Sequence, residues 1–188
     1  MPKRDDVIGH ARDLHRQARW DDACLQFLAA DTEHELGVED LELLGEAAQL
    51  TGRHDEAVSA LERAFELRAE ATDLAAAATT AFWLYSEFLY ASEFARAGGW
   101  MARLGDLAER LGAAEPGWLS IAAAHRYIGQ QLYDDARAVL TGALAEARES
   151  GEVDLETFAI LLSARSLLAG WLAVSRRAWR GWRTRCCG

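Results

Sequence analysis

The feature that most constrains this chain is a recurring apolar row with spacings of four and then three residues. Ala23, Phe27 and Ala30 form the first copy, and Ala57, Leu61 and Ala64 repeat it 34 residues later. Ala97, Met101 and Leu104 follow at an offset of 40, and Ala136, Leu140 and Ala143 at an offset of 39. Spacings of four and three place all three side chains on one helical face. Small residues at the ends of such a row let two helices cross closely, and the larger middle residue fills the gap beside the crossing. Each copy follows a short polar turn, reading ARWDD, TGRHDE, ASEFAR and QLYDD, and each turn follows another helical pattern. The repeating unit is therefore a helix hairpin. Composition agrees: 51% of residues are hydrophobic and only two are proline, while β-branched residues are too sparse to suggest strands.

In the second copy, Leu41, Leu44, Gly45 and Ala48 on one helix precede Ala57, Leu61 and Ala64 on the next. This arrangement resembles the tetratricopeptide repeat (TPR) family, with the likeness covering roughly residues 5–170. The resemblance implies an all-α fold, a TPR-like superhelix of stacked antiparallel helix hairpins with about 4.5 repeats. The pattern weakens where His10 replaces the usual leucine and where Tyr85 and Ala124 occupy the small position. The longer offsets call for about five or six extra residues in the helices or loops. The phrases GRHDEAVSALERAFELRA and AFWLYSEFLYASEFARAGGWMARL resemble the repeats of large LuxR-type bacterial transcriptional regulators. In that family the repeats precede a carboxy-terminal helix-turn-helix domain, and no segment of these 188 residues reads as one. The resemblance implies a non-catalytic scaffold that binds protein segments or senses a signal, as the amino-terminal part of such a regulator.

Charge divides the chain into a repeat domain, 1–170, and a tail, 171–188. The tail holds five arginines and no acid, leaving fifteen basic against thirty acidic residues before it. A body near −15 repels phosphate backbones, so residues 1–170 are not expected to bind nucleic acid. The tail, WLAVSRRAWRGWRTRCCG, has no apolar periodicity. It reads either as a basic arm, which would make the chain a free-standing adaptor touching a membrane or nucleic acid, or as the product of a frame slip. GC-rich codons for Trp171 onward, read from the third nucleotide, can spell AGRVAEGMAGLEDAVLR, which aligns with TGRHDEAVSALERAFEL of the second repeat. In that case a fifth hairpin lacks its second helix, the face of Phe158, Leu161, Leu162 and Leu168 is left uncovered, and self-association is expected. Residues 158–174 are apolar, but Arg165 at their centre costs roughly 2.5–3.5 kcal/mol on insertion, so a membrane anchor is not expected. The polar amino terminus lacks a secretory core and the three cysteines form no disulfide framework, so a cytoplasmic location is expected. Cys24 falls on an apolar helical row, as a small core residue does.

No nucleophile elbow, phosphate-cradling glycine loop, HExxH or paired CxxC occurs, so neither catalytic residues nor a cofactor are expected. His10 and His15 are five residues apart, the run Glu33–Glu35 reads as solvated loop, and adjacent Cys186 and Cys187 lack partner ligands, so no metal is expected. His54 and Asp55 fall in a turn and read as helix-capping residues. Stacked hairpins present a groove lined by the first helix of each pair. By analogy with TPR proteins its lining is Arg12 and His15, then Glu42, Glu46 and Gln49, then Phe82, Ser86 and Leu89, then Trp118, Ile121 and His125. This mixture of acids and aromatics suits a basic or apolar protein or peptide segment better than an acidic tail. For Phe82, Trp83 and Trp118, packing between helices is the competing role.

Overall fold

The structure is a computed structural model that describes the backbone of residues 4–112 and 117–186, with side chains from 7 to 112 and from 117 to 172. Among the described residues every regular element is a helix. In order these are α1 (Arg4–Arg16), α2 (Trp20–Glu33), α3 (Val38–Leu50), α4 (His54–Glu70), α5 (Leu74–Tyr90), α6 (Phe94–Leu111), α7 (Gly117–Gly129), α8 (Tyr133–Ser150) and α9 (Val153–Cys186). Within residues 4–111 and within 117–186, helices adjacent in sequence pack on one another, α1 also meets α3 and α7 also meets α9. That is the pattern of stacked hairpins, in which each first helix touches the first helix of the next pair. The chain divides into two compact units, Met1–Leu111 and Gly112–Gly188. The division falls within the stretch read from sequence as one repeat domain, and position 170 lies inside α9.

The repeated row is the core. Ala23, Phe27, Ala57, Leu61, Ala64, Ala136, Leu140 and Ala143 are all at most 3% exposed. In the third copy Ala97 and Leu104 are buried, but Met101 is only half-buried, and Trp100 enters the core in its place with its ring edge-on to Phe65 at 5.0 Å. At Gly45 two helices of the first unit cross closely: a Cβ there would lie 2.7 Å from Leu61 Cγ and Cδ2. Gly117 plays the same part in the second unit, where a Cβ would come within 2.5 Å of Leu155 Cδ2. The extra residues implied by the longer offsets lie mainly within the helices: α4 and α5 have 17 residues each and α6 has 18, against 14 in α2 and 13 in α3.

One turn is used again and again. The N–H groups of Arg19, Arg53, Asp73, Glu93, Leu132 and Glu152 donate to the carbonyls of Leu14, Ala48, Arg68, Phe88, Tyr127 and Ala147, each five residues back. The residue just before each donor has a positive φ: Ala18, Gly52, Thr72, Ser92, Gln131 and Gly151. These six-to-one bonds satisfy helix-end carbonyls that would otherwise lack a partner. The α2–α3 junction runs instead through the extended residue His34, with the Leu36 N–H donating to Asp31 Oδ1 at 3.0 Å.

Thr72 is the most strained of the six, because a β-branched side chain holds φ at 62°. Thr72→Gly is expected to raise unfolding stability by about 1 kcal/mol, as urea denaturation would show. An unchanged or lower midpoint would mean that the threonine side chain makes a compensating contact.

α9 differs from the other helices. The tail lacked apolar periodicity in the sequence, yet the helical backbone continues to Cys186. The expectations for the tail's arginine and tryptophan side chains beyond Leu172, for the side chains of Cys186 and Cys187 and for a shifted frame lie outside the described residues.

Candidate protein-binding face

In the first unit, α1, α3 and α5 are stitched together by polar side chains that span the repeats. Arg12 on α1 donates through Nε and an Nη to both oxygens of Asp40 on α3, at 2.6 and 3.0 Å. Asp40 is 5% exposed and would be costly to bury without this fork. His15 is 9% exposed, edge-on to Trp20 at 4.9 Å, with Nε2 at 3.2 Å from Glu46 Oε2 but without hydrogen-bond geometry. Glu42 accepts from Arg68 Nε and Nη at 3.0 and 2.8 Å and from Thr80 Oγ1 at 3.2 Å. Gln49 Nε2 donates to Glu87 Oε2 at 3.1 Å, and the other Glu87 oxygen lies 2.7 Å from His54 Nδ1.

His54 therefore differs from its expected role. It opens α4, where no side chain caps the helix, and its ring instead joins α4 to α5. The hydrogen bond to Glu87 raises its pKa above the ordinary histidine value, against the effect of burial. Its stabilising contribution is fully present below the unfolded value of about 6.5 and is lost as pH rises through the raised folded value. On the second helices, the Arg63 bond to Asp31 at 2.5 Å joins α2 to α4 and holds the Asp31 carboxyl below the usual range.

The residues expected to line the groove thus fall into distinct settings. Arg12, His15, Glu42, Glu46 and Gln49 come together on the α1 and α3 layer, where all but Glu46 are largely committed to neighbours, Arg12 staying half-exposed while paired with Asp40. Phe82 is 0% exposed and packs against Trp83 and Tyr85 at ring distances of 5.7 and 6.2 Å. Ser86 is 3% exposed, and its Oγ has no hydrogen-bond partner. Leu89 is half-buried. In the second unit Trp118 is buried, donates from Nε1 to Glu152 at 2.7 Å and meets Phe158 edge-on at 5.6 Å. Ile121 is fully buried, and His125 is mostly buried, with its pKa lowered to about 4 by burial and by Arg165. Trp118 therefore serves packing between helices, and Phe82 is enclosed in the core of the first unit.

The hydrogen bonds explain which row of α5 meets α3. Glu42 pairs with Thr80 and Gln49 with Glu87, both 38 residues on, whereas family analogy aligned these rows 40 residues apart. Two residues turn a helix by about 200°, which takes Phe82 and Ser86 to the inner side. The outward row of α5 carries half-buried Trp83 and Glu87 and the 70% exposed Tyr90, spaced by four and three residues. On α3 the matching row is Leu43, Glu46 and Leu50, with Leu50 57% exposed. Sequence reasoning missed Asp40, Leu50, Glu87 and Tyr90 as members of this face. Asp40 had one visible signal, a carboxylate beside Leu41 and four residues before Leu44 on an apolar helix side.

Surface depressions lie on this unit. One of about 480 Å³ lies between α1 and α3, lined by Gly9, Arg12, Asp13, His15, Arg16 and Leu43. Among the described residues no group of three or more His, Cys, Asp or Glu converges as metal ligands would.

No family model matches the chain, and no curated protein matches it. A solved structure is similar: the crystal structure of a Podosopora anserina putative kinesin light chain with nearly identical TPR-like repeats. The likeness covers 95% of this chain and 93% of that one, with a TM-score of 0.58 and 13% identity. At that identity it speaks for the fold alone, and this chain folds as TPR-like helical repeats.

Proposed function

We propose that the chain is a non-catalytic interaction scaffold whose α3 and α5 rows grip a basic or apolar protein segment. The observation that carries this reading is the pairing of exposed apolar groups with an exposed acid. Leu50 and Tyr90 stand 57% and 70% exposed on neighbouring first helices, and the Glu46 side chain, 53% exposed, lies one helical turn from Leu50. An aromatic anchor beside a carboxylate favours a segment that alternates bulky apolar and cationic side chains. The inter-repeat bonds hold the two helices in place, so little order has to be created on binding.

A short fluorescein-labelled peptide of leucine, phenylalanine and arginine tests this, beside a counterpart with glutamate in place of arginine. The arginine peptide is expected to bind the full chain more tightly and to weaken as salt is raised. The double change Glu46→Lys with Tyr90→Ala is expected to cut its affinity by about tenfold or more. Equal binding of the two peptides, or indifference to the double change, would sink the proposal.

The finer reading, as the amino-terminal part of a LuxR-type transcriptional regulator, is supported by the two repeat phrases that resemble that family. Sequencing the coding DNA downstream of codon 160 in all three frames tests it. A helix-turn-helix segment in a frame continuous with further repeats supports it, and its absence favours the adaptor with a genuine basic tail.

A further inference from the structure

The described part of α9 is two-faced, with one row buried against neighbouring helices and the other largely exposed. Leu155, Ala159, Leu162 and Ser166 form the inner row, at most 6% exposed, and Ser166 Oγ donates to the Tyr133 carbonyl at 3.0 Å. The opposite side carries Ile160, Leu161, Leu167, Leu168, Trp171 and Leu172, each 48–68% exposed. Together these six leave on the order of 700 Å² of apolar surface in water, above the roughly 300–600 Å² of an ordinary monomer's largest patch. That is close to the ~800 Å² which each partner contributes to a stable interface.

The order of residues on this face indicates what covers it. Residues 161–168 read Leu-Leu-Ser-Ala-Arg-Ser-Leu-Leu, nearly the same in either direction. On the exposed side the row is Leu161, Ala164 and Leu168, spaced by three and four residues, so that a small side chain sits between two leucines. Such a row is self-complementary under a two-fold axis passing between positions 164 and 165. The axis sets Leu161 of one copy against Leu168 of the other at both ends, with small Ala164 allowing close approach at the centre. Arg165 is the one charged residue on this side between Ile160 and Leu172, and it is exposed.

We propose that this face is a homodimer interface in which α9 packs antiparallel on α9 of a second copy. The peptide-binding face on α3 and α5 involves none of these residues, so either proposal can fail without the other. The segment Val153–Leu172 is long and apolar enough to cross a bilayer, but its inner row is already held by the neighbouring helices and Arg165 lies at its middle. A second copy covers the outer row without displacing the inner one.

Sedimentation equilibrium of the full chain over micromolar concentrations gives the test, with circular dichroism confirming that each variant stays helical. The wild type is expected to be a dimer. Leu161→Glu with Leu168→Glu brings acids together at both ends and is expected to raise the dissociation constant about a hundredfold or more. Leu161→Glu with Leu168→Lys is expected to recover at least about tenfold of that loss, because only an antiparallel axis sets position 161 against position 168. A monomeric wild type, a dimer indifferent to the double glutamate change, or no recovery with the Glu and Lys pair would each overturn the proposal. So would flotation of a monomeric chain with phosphatidylcholine and phosphatidylglycerol vesicles, which would give the face to a membrane.

Discussion

Phe82→Ala is expected to lower the unfolding free energy of the Met1–Leu111 unit by about 3–5 kcal/mol, the range for truncating a fully buried aromatic ring. Its ring is 0% exposed and contacts Trp83 and Tyr85 on its own helix, so removal leaves a cavity that helical backbone cannot close. Phe82→Leu conserves more volume and is expected to cost less than about 1.5 kcal/mol. Hydrogen exchange resolved by segment, under increasing urea, assigns the loss to the first unit. Well below the transition the alanine variant is expected to bind the arginine peptide as the wild type does. A loss of binding with little change in stability would mean that Phe82 meets the ligand directly.

Acid is expected to weaken the Gly112–Gly188 unit selectively. Burial is the larger cause of the lowered His125 pKa and Arg165 the smaller, and together they bring it to about 4. An unfolded chain holds its histidines near 6.5. The folded state therefore keeps this ring neutral where the unfolded state takes up a proton, and stability falls as pH drops from about 6.5 towards 4. The shift sets an upper bound of about 3 kcal/mol on the loss. His125→Leu is expected to flatten this dependence in the exchange of α7, α8 and α9 between pH 6.5 and 4.5. Asp31, whose lowered pKa stabilises the first unit, loses its effect only at lower pH. Equal slopes for wild type and variant would show that His125 is protonated, or solvated, within the folded state.

The fold was legible because its strongest requirement is local. A helix hairpin needs small residues where its helices cross, so Ala23, Ala57, Ala97 and Ala136 stand out at regular offsets, and all four are buried. Gly45 was legible for the same reason, since a Cβ there would strike Leu61. The candidate face was legible only in part, because contacts between repeats depend on the stagger of neighbouring first helices. That stagger places Glu42 against Thr80 and Gln49 against Glu87, and no local spacing within α3 or α5 encodes it. Family analogy was off by two residues in α5, enough to exchange its inner and outer sides. Arg12 with Asp40 and Arg63 with Asp31 were hidden similarly, because each pair joins charges about one repeat apart that look solvated when read singly. Of the α9 residues expected to lie uncovered, Leu161 and Leu168 are exposed, whereas Leu162 is buried and Phe158 meets Trp118, because a single apolar run does not say which of its rows faces the neighbouring helices.

The uniform turn bears on how the chain reaches its native state. Six of its helix junctions reverse direction through the same six-to-one hydrogen bond, made within a handful of residues. The principal packing partners are sequence neighbours or next neighbours, such as α3 with α4 and α7 with α9. Little loop entropy has to be lost before a stabilising contact forms, so any hairpin can serve as a starting point and ordering can spread from it to the next. Contacts so short in sequence place the chain among fast folders, and a hairpin leaving the ribosome holds most of its partners before the rest of the chain exists.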